Sequence, residues 1–203
     1  MRPINKPLAL RRSVSSIVLL LLALQVGGRQ VSPDPGWSAY SLEQKKVSVA
    51  GFVHCYRTNS SKDDAFAQVD DSAAIRLIDH TARAGGEPFG VVILNGLRNA
   101  PTAKPDSHAE HWKGPYGFAA GLWWRGLDNT TREAYVQGVF WCAASQQNGV
   151  VKIKDGSVQT AVGRLNDWYV IQDDDWKDPR SNARVDIPVF VAMERTNILN
   201  FKK

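Results

Sequence analysis

Apolar residues recur at three- and four-residue spacing in several segments of the chain, which is the pattern of amphipathic helices. In the first half they predict helices over about 42–56, 71–84 and 88–97, although the run FGVVIL at 89–94 also fits a buried strand. The second half has three more such segments, from about residue 129, from Ser157 and over 189–199. A brief extended piece is expected around Val151 and Ile153. The fold class predicted is mostly all-α.

Helix-start signals precede most of these segments. Ser41–Gln44 and Thr130–Glu133 both have the form of a capping box, in which two side chains bond to each other's backbone N–H, and Asp128 is an alternative cap in the second case. Pro88 and Pro188 each suit the first turn of a helix. The pair Gly85-Gly86 should end the second helix.

The order of signals is the same in both halves, which indicates an internal repeat. Trp37–Cys55 aligns with Trp124–Cys142 at a spacing of 87 residues. This places Gly51 opposite Gly138, and each glycine is expected to let a neighbouring helix approach closely. Further along, the alignment shifts to 88 residues (161 − 73 = 88) and pairs Ala73, Arg76, Leu77 and Asp79 with Ala161, Arg164, Leu165 and Asp167. We therefore predict two related three-helix units, at 29–99 and 123–203, joined by a linker at 100–122.

The first 28 residues have the layout of a secretory signal peptide. Four basic side chains precede the apolar run Val14–Val26, and Gly27-Gly28 follows it. The run is short for a membrane-spanning helix, and an uncleaved N-terminal anchor is the alternative. This predicts an exported protein, periplasmic or secreted.

Removal of that segment changes the charge of the chain. The full sequence has 25 basic and 20 acidic residues, and without residues 1–28 it has 25 − 4 = 21 basic residues against the same 20 acids. A nearly neutral chain gives no electrostatic reason to expect nucleic acid as a partner. Membrane contact is expected only through the signal segment, if that segment is retained.

The two cysteines, Cys55 and Cys142, occupy matching places in the two copies. An exported protein can keep a disulfide, and units related by a twofold axis would bring matching positions together. Two separate buried thiols are the alternative. The adjacent His54 and Cys55 do not form a catalytic dyad by themselves, because neighbouring residues on a helix do not face each other.

The second half resembles a known group of sequences. Trp124, Leu127, Arg132, Tyr135-Val136 and Gly138, followed by Leu165, Tyr169, Asp178-Pro179, Asn182 and Ile187-Pro188-Val189, look like a group of small exported bacterial helical proteins of unknown function. The three-helix order is more distantly similar to the Tai-type amidase-immunity proteins of type VI secretion, from which this chain differs in having two units. The resemblance implies a helical envelope protein and, as one specific form, an inhibitor or immunity role.

Metal chemistry has one candidate, the segment His108-Ala-Glu-His111. Two histidines three apart on a helix share a face and can meet one zinc ion, with Glu110 as a further ligand or base. The spacing is not that of the zincin motif, and the segment lies in a proline-rich joint, so a solvated linker is the alternative. Asp173–Asp175 with Asp178 does not have the spacing of a calcium loop.

Aromatic residues offer a third possibility, since the chain has 7 Trp and 5 Tyr. A glycan-binding surface would draw on Trp112, Trp123, Trp124 and Trp176, whereas Trp124, Trp141 and Trp168 also fit a helical core. The function predicted from the sequence is a non-enzymatic protein-binding or structural module of the cell envelope, without a cofactor and with another envelope protein as its partner. The alternatives are a metal-dependent hydrolase using His108 and His111, and a glycan-binding module using surface tryptophans.

Overall fold

The computed structural model describes residues 35–60, 66–103, 120–146, 151–154, 156–169 and 187–201. Helices dominate these residues, so the predicted mostly all-α class is confirmed. The first half, residues 35–103, contains α1 (Pro35–Ala39), α2 (Leu42–Ser60), α3 (Asp71–Ala84) and α4 (Phe89–Asn99). The second half, residues 120–201, contains α5 (Ala120–Gly126), α6 (Asn129–Ser145), β1 (Val151–Ile153), α7 (Val158–Trp168), α8 (Val189–Arg195) and β2 (Leu199–Phe201).

Helix α2 begins where the predicted capping box forms. The backbone N–H of Ser41 donates to Gln44 Oε1 at 2.8 Å, and the N–H of Gln44 donates to Ser41 Oγ at 3.2 Å. The helix continues to Ser60, beyond the predicted end at residue 56. Each half also begins with a short helix, α1 or α5, that the apolar pattern does not predict.

The rest of the first half follows its local signals with one correction. Asp71-Ser72 is the cap that the sequence suggests, but Asp70 caps α3 by accepting a bond from the N–H of Ala73 at 2.7 Å. The helix ends at Gly85 and Gly86, whose φ values of 70° and 99° suit glycine. The run FGVVIL is helical and not a strand, and α4 begins directly after Pro88.

Two predictions for the second half are wrong in detail. Asp128, not Thr130, caps α6, since its carboxylate accepts a bond from the N–H of Thr131 at 2.7 Å. Thr130 lies inside the first turn and donates its hydroxyl to Asp128 at 2.8 Å, so no Thr130–Glu133 capping box forms.

The last helix is shorter than the predicted 189–199. Pro188 precedes α8 as predicted, but α8 stops at Arg195, and Asn197 has a left-handed φ of 59°. The N–H of Ile198 donates to the carbonyl of Met193 at 2.9 Å, and that of Asn197 to the carbonyl of Glu194 at 3.0 Å, which is a Schellman ending. The chain then forms β2, which pairs antiparallel with β1 and places Leu199 opposite Ile153.

The long helices α2 and α6 lie side by side at the centre of residues 35–201. They run in the same general direction, because Gln44 near the start of α2 bonds to Thr130 near the start of α6, and Cys55 further along bonds to Cys142. Side chains from both halves form one continuous core. The predicted units at 29–99 and 123–203 therefore share their apolar interior.

Candidate functional site

Helices α2 and α6 cross in close contact at Gly51 and Gly138. A Cβ atom on Gly51 would overlap the carbonyl oxygen of Tyr135, and one on Gly138 would overlap the carbonyl oxygen of Ser48. Both neighbours are backbone groups, which cannot turn aside as a flexible side chain can. The expectation that these two glycines permit helix contact is confirmed.

The two cysteines meet one turn beyond this crossing. Cys55 and Cys142 form a disulfide, with their Cα atoms 6.1 Å apart and both residues fully buried. Two amides flank the sulfurs: Asn59 Nδ2 lies 3.4 Å from Cys55 Sγ, and Gln146 Nε2 lies 3.9 Å from Cys142 Sγ. The bond excludes thiolate chemistry at Cys55, and with it any role for His54 and Cys55 as a nucleophilic pair.

A buried polar pair lies beside the crossing. His54 is 2% exposed and its Nδ1 is 2.9 Å from the hydroxyl of Tyr135, which is fully buried. Trp123 packs edge-on against the other side of the Tyr135 ring, at 5.5 Å between centroids. The arrangement joins α2 to α6 through one hydrogen bond and orients both rings.

Each half also contains a tryptophan whose indole N–H bonds to a residue of another helix. We call these two matching sites the corner at Trp37 and the corner at Trp124. In the first half, Trp37 Nε1 donates to Asp79 at 2.7 Å, and Lys45 bonds to the same carboxylate at 2.8 Å with its ammonium 5.3 Å from the indole. Lys45 thus lies between a carboxylate and an aromatic face.

In the second half, Trp124 Nε1 donates to the amide oxygen of Asn166 at 3.0 Å, and the guanidinium of Arg132 lies 5.8 Å from the indole. Arg132 donates to the carbonyls of Trp124 and Arg125, at 3.0 and 3.1 Å, and thereby satisfies the end of α5. Burial lowers the pKa of Arg132, an effect that the charge of Asp128 partly opposes.

These corners correct the sequence alignment. Trp37 and Asp79 are separated by 42 residues, as are Trp124 and Asn166. The structural equivalent of Asp79 is therefore Asn166, not Asp167, and the spacing of 88 residues is too long by one. Aligning Asp79 with the identical residue Asp167 concealed the correct register. The helix-start signals at Asp70 and Ser157 could have revealed it.

The second half has a shallow depression of about 260 Å³ that sequence reasoning missed. It is lined by Arg164, Asp167, Trp168 and Thr196. The first three are at positions i, i+3 and i+4 of α7 and so share one helix face, which is the signal that the sequence offered. Arg164 donates to the carbonyl of Thr196 at 3.3 Å, and the Asp167 side chain is exposed.

The two halves end differently beside this depression. In the first half, α4 continues to Asn99, and Gly96 lets it pack directly on Ile78 and the carbonyl of Ala74. Counted from Pro88 and Pro188, the position of Gly96 corresponds to Thr196, where α8 has already ended. A threonine that lines the depression therefore takes the place of a glycine that packs against a helix.

The other predicted site residues have different outcomes. His108, Glu110 and His111, the candidate metal ligands, lie outside the described residues, as do Trp112, Trp176, Asp173–Asp175 and the predicted signal peptide. Within the described ranges, no three His, Cys, Asp or Glu side chains cluster as metal ligands would.

The predicted aromatic surface needs a correction. Trp124 is fully buried against Tyr135 and Tyr169, so it cannot belong to a glycan platform. Trp123 is half-buried and packs on Tyr135. Trp141 belongs to the core, where it meets Trp37 and Phe89, as predicted.

Among the described helices, none combines the length and apolar character needed to cross a membrane. No protein-family model, curated protein or solved structure matches this chain. The similarity to Tai-type proteins therefore stays a prediction from the sequence.

Proposed function

We propose that this chain is an exported, non-enzymatic protein-binding module of the cell envelope, whose two halves are held in a fixed arrangement by the Cys55–Cys142 bond. An inhibitor or immunity-type module is one form of this function. The observation that carries the proposal is the fully buried disulfide at the centre of the shared core. Disulfides persist in oxidising compartments, which supports export, and a covalent tie between two helices favours a rigid scaffold.

The depression beside Trp168 is the surface that we assign to partner docking. It presents an indole, a carboxylate and a hydroxyl within one concave area, and such mixtures of aromatic and polar groups are common in protein interfaces. The matching positions of the first half, Leu77, His80 and Thr81, have different side chains, with no indole and no carboxylate. The chemistry of the depression therefore belongs to the second half.

Photo-crosslinking in the cells that produce the protein tests this assignment. A photoreactive amino acid replaces Trp168 in one variant and Thr81, the same position of the first half, in a control variant. We expect one discrete protein adduct from position 168 and none from position 81, and Asp167→Lys should weaken that adduct. Identical adducts from both positions, or none from position 168, would reject the depression as the docking surface.

A further inference from the structure

The two halves match in position as well as in order. Helices α2 and α6 begin at Leu42 and Asn129, and α3 and α7 begin at Asp71 and Val158. Both spacings equal the 87 residues that separate Cys55 from Cys142. One register therefore relates the two halves from the start of their first long helix to the start of the next.

The contacts at the crossing map onto each other in this register. Gly51 faces the carbonyl of Tyr135, and Gly138 faces the carbonyl of Ser48, the position that corresponds to Tyr135. The disulfide maps onto itself, as does the pair of flanking amides, Asn59 and Gln146. An interface in which residue i meets j while the equivalent of j meets the equivalent of i is isologous, the type formed by twofold-symmetric dimers.

The central contacts of this interface depend little on side-chain identity. Each glycine fits against backbone atoms, with a Cβ built on Gly51 reaching 3.3 Å from the Val139 nitrogen and one on Gly138 reaching 3.1 Å from the Phe52 nitrogen. A face of this kind on the first half has the shape needed to receive a second first half. The same holds for two second halves.

We infer that the crossing face of each half is a self-recognising surface whose fitting partner is another copy of the same half. One chain carries two such faces, one in each half, and in the structure these two faces pair with each other. The face around Gly51 and Cys55 can pair with its own copy from a second chain, and so can the face around Gly138 and Cys142. This property is independent of the proposed docking function, because it concerns the buried faces and not the depression.

A buried contact beside the crossing distinguishes the natural pairing from pairs of identical halves. The bond between His54 and Tyr135 joins the first half to the second. In a pair of first halves, His54 would face Ser48 in place of Tyr135, and in a pair of second halves Trp141 would take the place of His54. The natural pairing is therefore favoured by this bond, while the glycine crossing is available to all pairs.

Reoxidation of the full chain at high concentration tests the inference. The reduced, unfolded protein is refolded in a glutathione buffer, covalent dimers are isolated, and their disulfide-linked peptides are identified by mass spectrometry. We expect dimers that contain Cys55–Cys55 and Cys142–Cys142 links, in yields well above those of the same oxidation in denaturant. Replacing Tyr135 by Phe should raise the share of these links, since it removes the hydroxyl that favours the natural pairing.

The Gly51→Leu variant is the matched control. In a pair of first halves each leucine side chain at position 51 would collide with the Ser48 carbonyl of the other copy, so the yield of Cys55–Cys55 should fall by about tenfold or more, while Cys142–Cys142 is retained. Dimers linked only by Cys55–Cys142 would overturn the inference. So would Cys55–Cys55 links that survive in Gly51→Leu or that form equally well in denaturant.

Discussion

The corner at Trp37 and the corner at Trp124 each hold an indole at the matching position of their half. The groups that bond to the two indoles differ. At the first corner the indole N–H and Lys45 share the carboxylate of Asp79, so the corner contains an ion pair. At the second corner the acceptor is the neutral Asn166, and Arg132 turns to backbone carbonyls at the end of α5. Both corners place a tryptophan at the matching position, but only the first has a charged acceptor for the indole N–H.

The comparison shows which features the packing requires. An indole N–H buried at a helix junction requires an acceptor, and either a carboxylate or an amide oxygen supplies it. A cation over the ring is also common to both corners, but its partners follow local needs. The two corners therefore share the placement of the indole and differ in the charge of its acceptor.

Leucine substitutions at the two crossing glycines should have the largest effect and should be nearly equal. Gly51→Leu and Gly138→Leu each place a side chain on a backbone carbonyl, so we expect each to lower the free energy of unfolding by about 3 kcal/mol. Denaturant titration followed by circular dichroism measures this loss.

The control is Gly163→Ala in α7. No atom lies within 4 Å of a Cβ built there, so the change should raise the free energy of unfolding by about 0.5–1 kcal/mol through helix propensity alone. A Gly51→Leu variant as stable as the natural protein would contradict the close crossing. A large loss at only one of the two glycines would break the equivalence of the halves.

Alanine substitutions of the two corner cations, Lys45 and Arg132, should lower the free energy of unfolding by different amounts. Arg132 is 6% exposed and donates to two carbonyls at the end of α5, so Arg132→Ala should cost about 2–3 kcal/mol by leaving those acceptors without it. Lys45→Ala removes a part-exposed ion pair and should cost about 1 kcal/mol, with a dependence on salt that Arg132→Ala lacks. Unfolding in low and high salt measures both; equal losses and equal salt dependence would contradict the difference between the corners.

The N-terminal caps of α2 and α6 should differ in their response to acid. We expect this to be the smallest of the three effects on stability. Hydrogen bonds from the backbone of Thr131 and the hydroxyl of Thr130 hold the pKa of Asp128 below its ordinary value of 3.8. Because the folded pKa is the lower one, this cap stabilises the fold above the ordinary value and is lost as the pH falls through the folded pKa.

The corresponding cap of α2, Ser41 with Gln44, has no group that titrates there. Unfolding followed between pH 5 and pH 2, a range chosen to bracket about 3.8, should show a loss of stability in acid that Asp128→Ser reduces. An unchanged acid profile in Asp128→Ser would show that this carboxylate does not contribute.

Local signals predicted most of the helices, because each depends on residues close together in the chain. Ser41 with Gln44, Ser157, Pro88 and Pro188 mark helix starts, and spaced apolar residues mark the buried faces. The repeat of Gly51 and Cys55 in Gly138 and Cys142 made a disulfide one of two alternatives, the other being two separate buried thiols. These features require no knowledge of which helix lies against which.

The predictions from the sequence were wrong where contacts between residues far apart in the chain determine the structure. The chain turns at Asn197 after α8 and forms β2, which pairs with β1, and apolar spacing on one helix cannot reveal that pairing. Trp124 is buried because Tyr135 and Tyr169 surround it, and neither is adjacent to it in sequence. The depression at Trp168 also includes Thr196, which lies far from α7 in sequence, so the composition of α7 alone does not indicate it.

A mass spectrum of the protein exported by its own N-terminal segment tests the central claim most directly. Under denaturing conditions we expect a chain cut near residue 28 and lacking two hydrogens, with a single linked peptide pair containing Cys55 and Cys142. Under native conditions we expect no stoichiometric metal. Free thiols at Cys55 and Cys142 would contradict the covalently joined halves, and a bound zinc ion lost in His108→Ala would replace the binding module with a metal-dependent hydrolase.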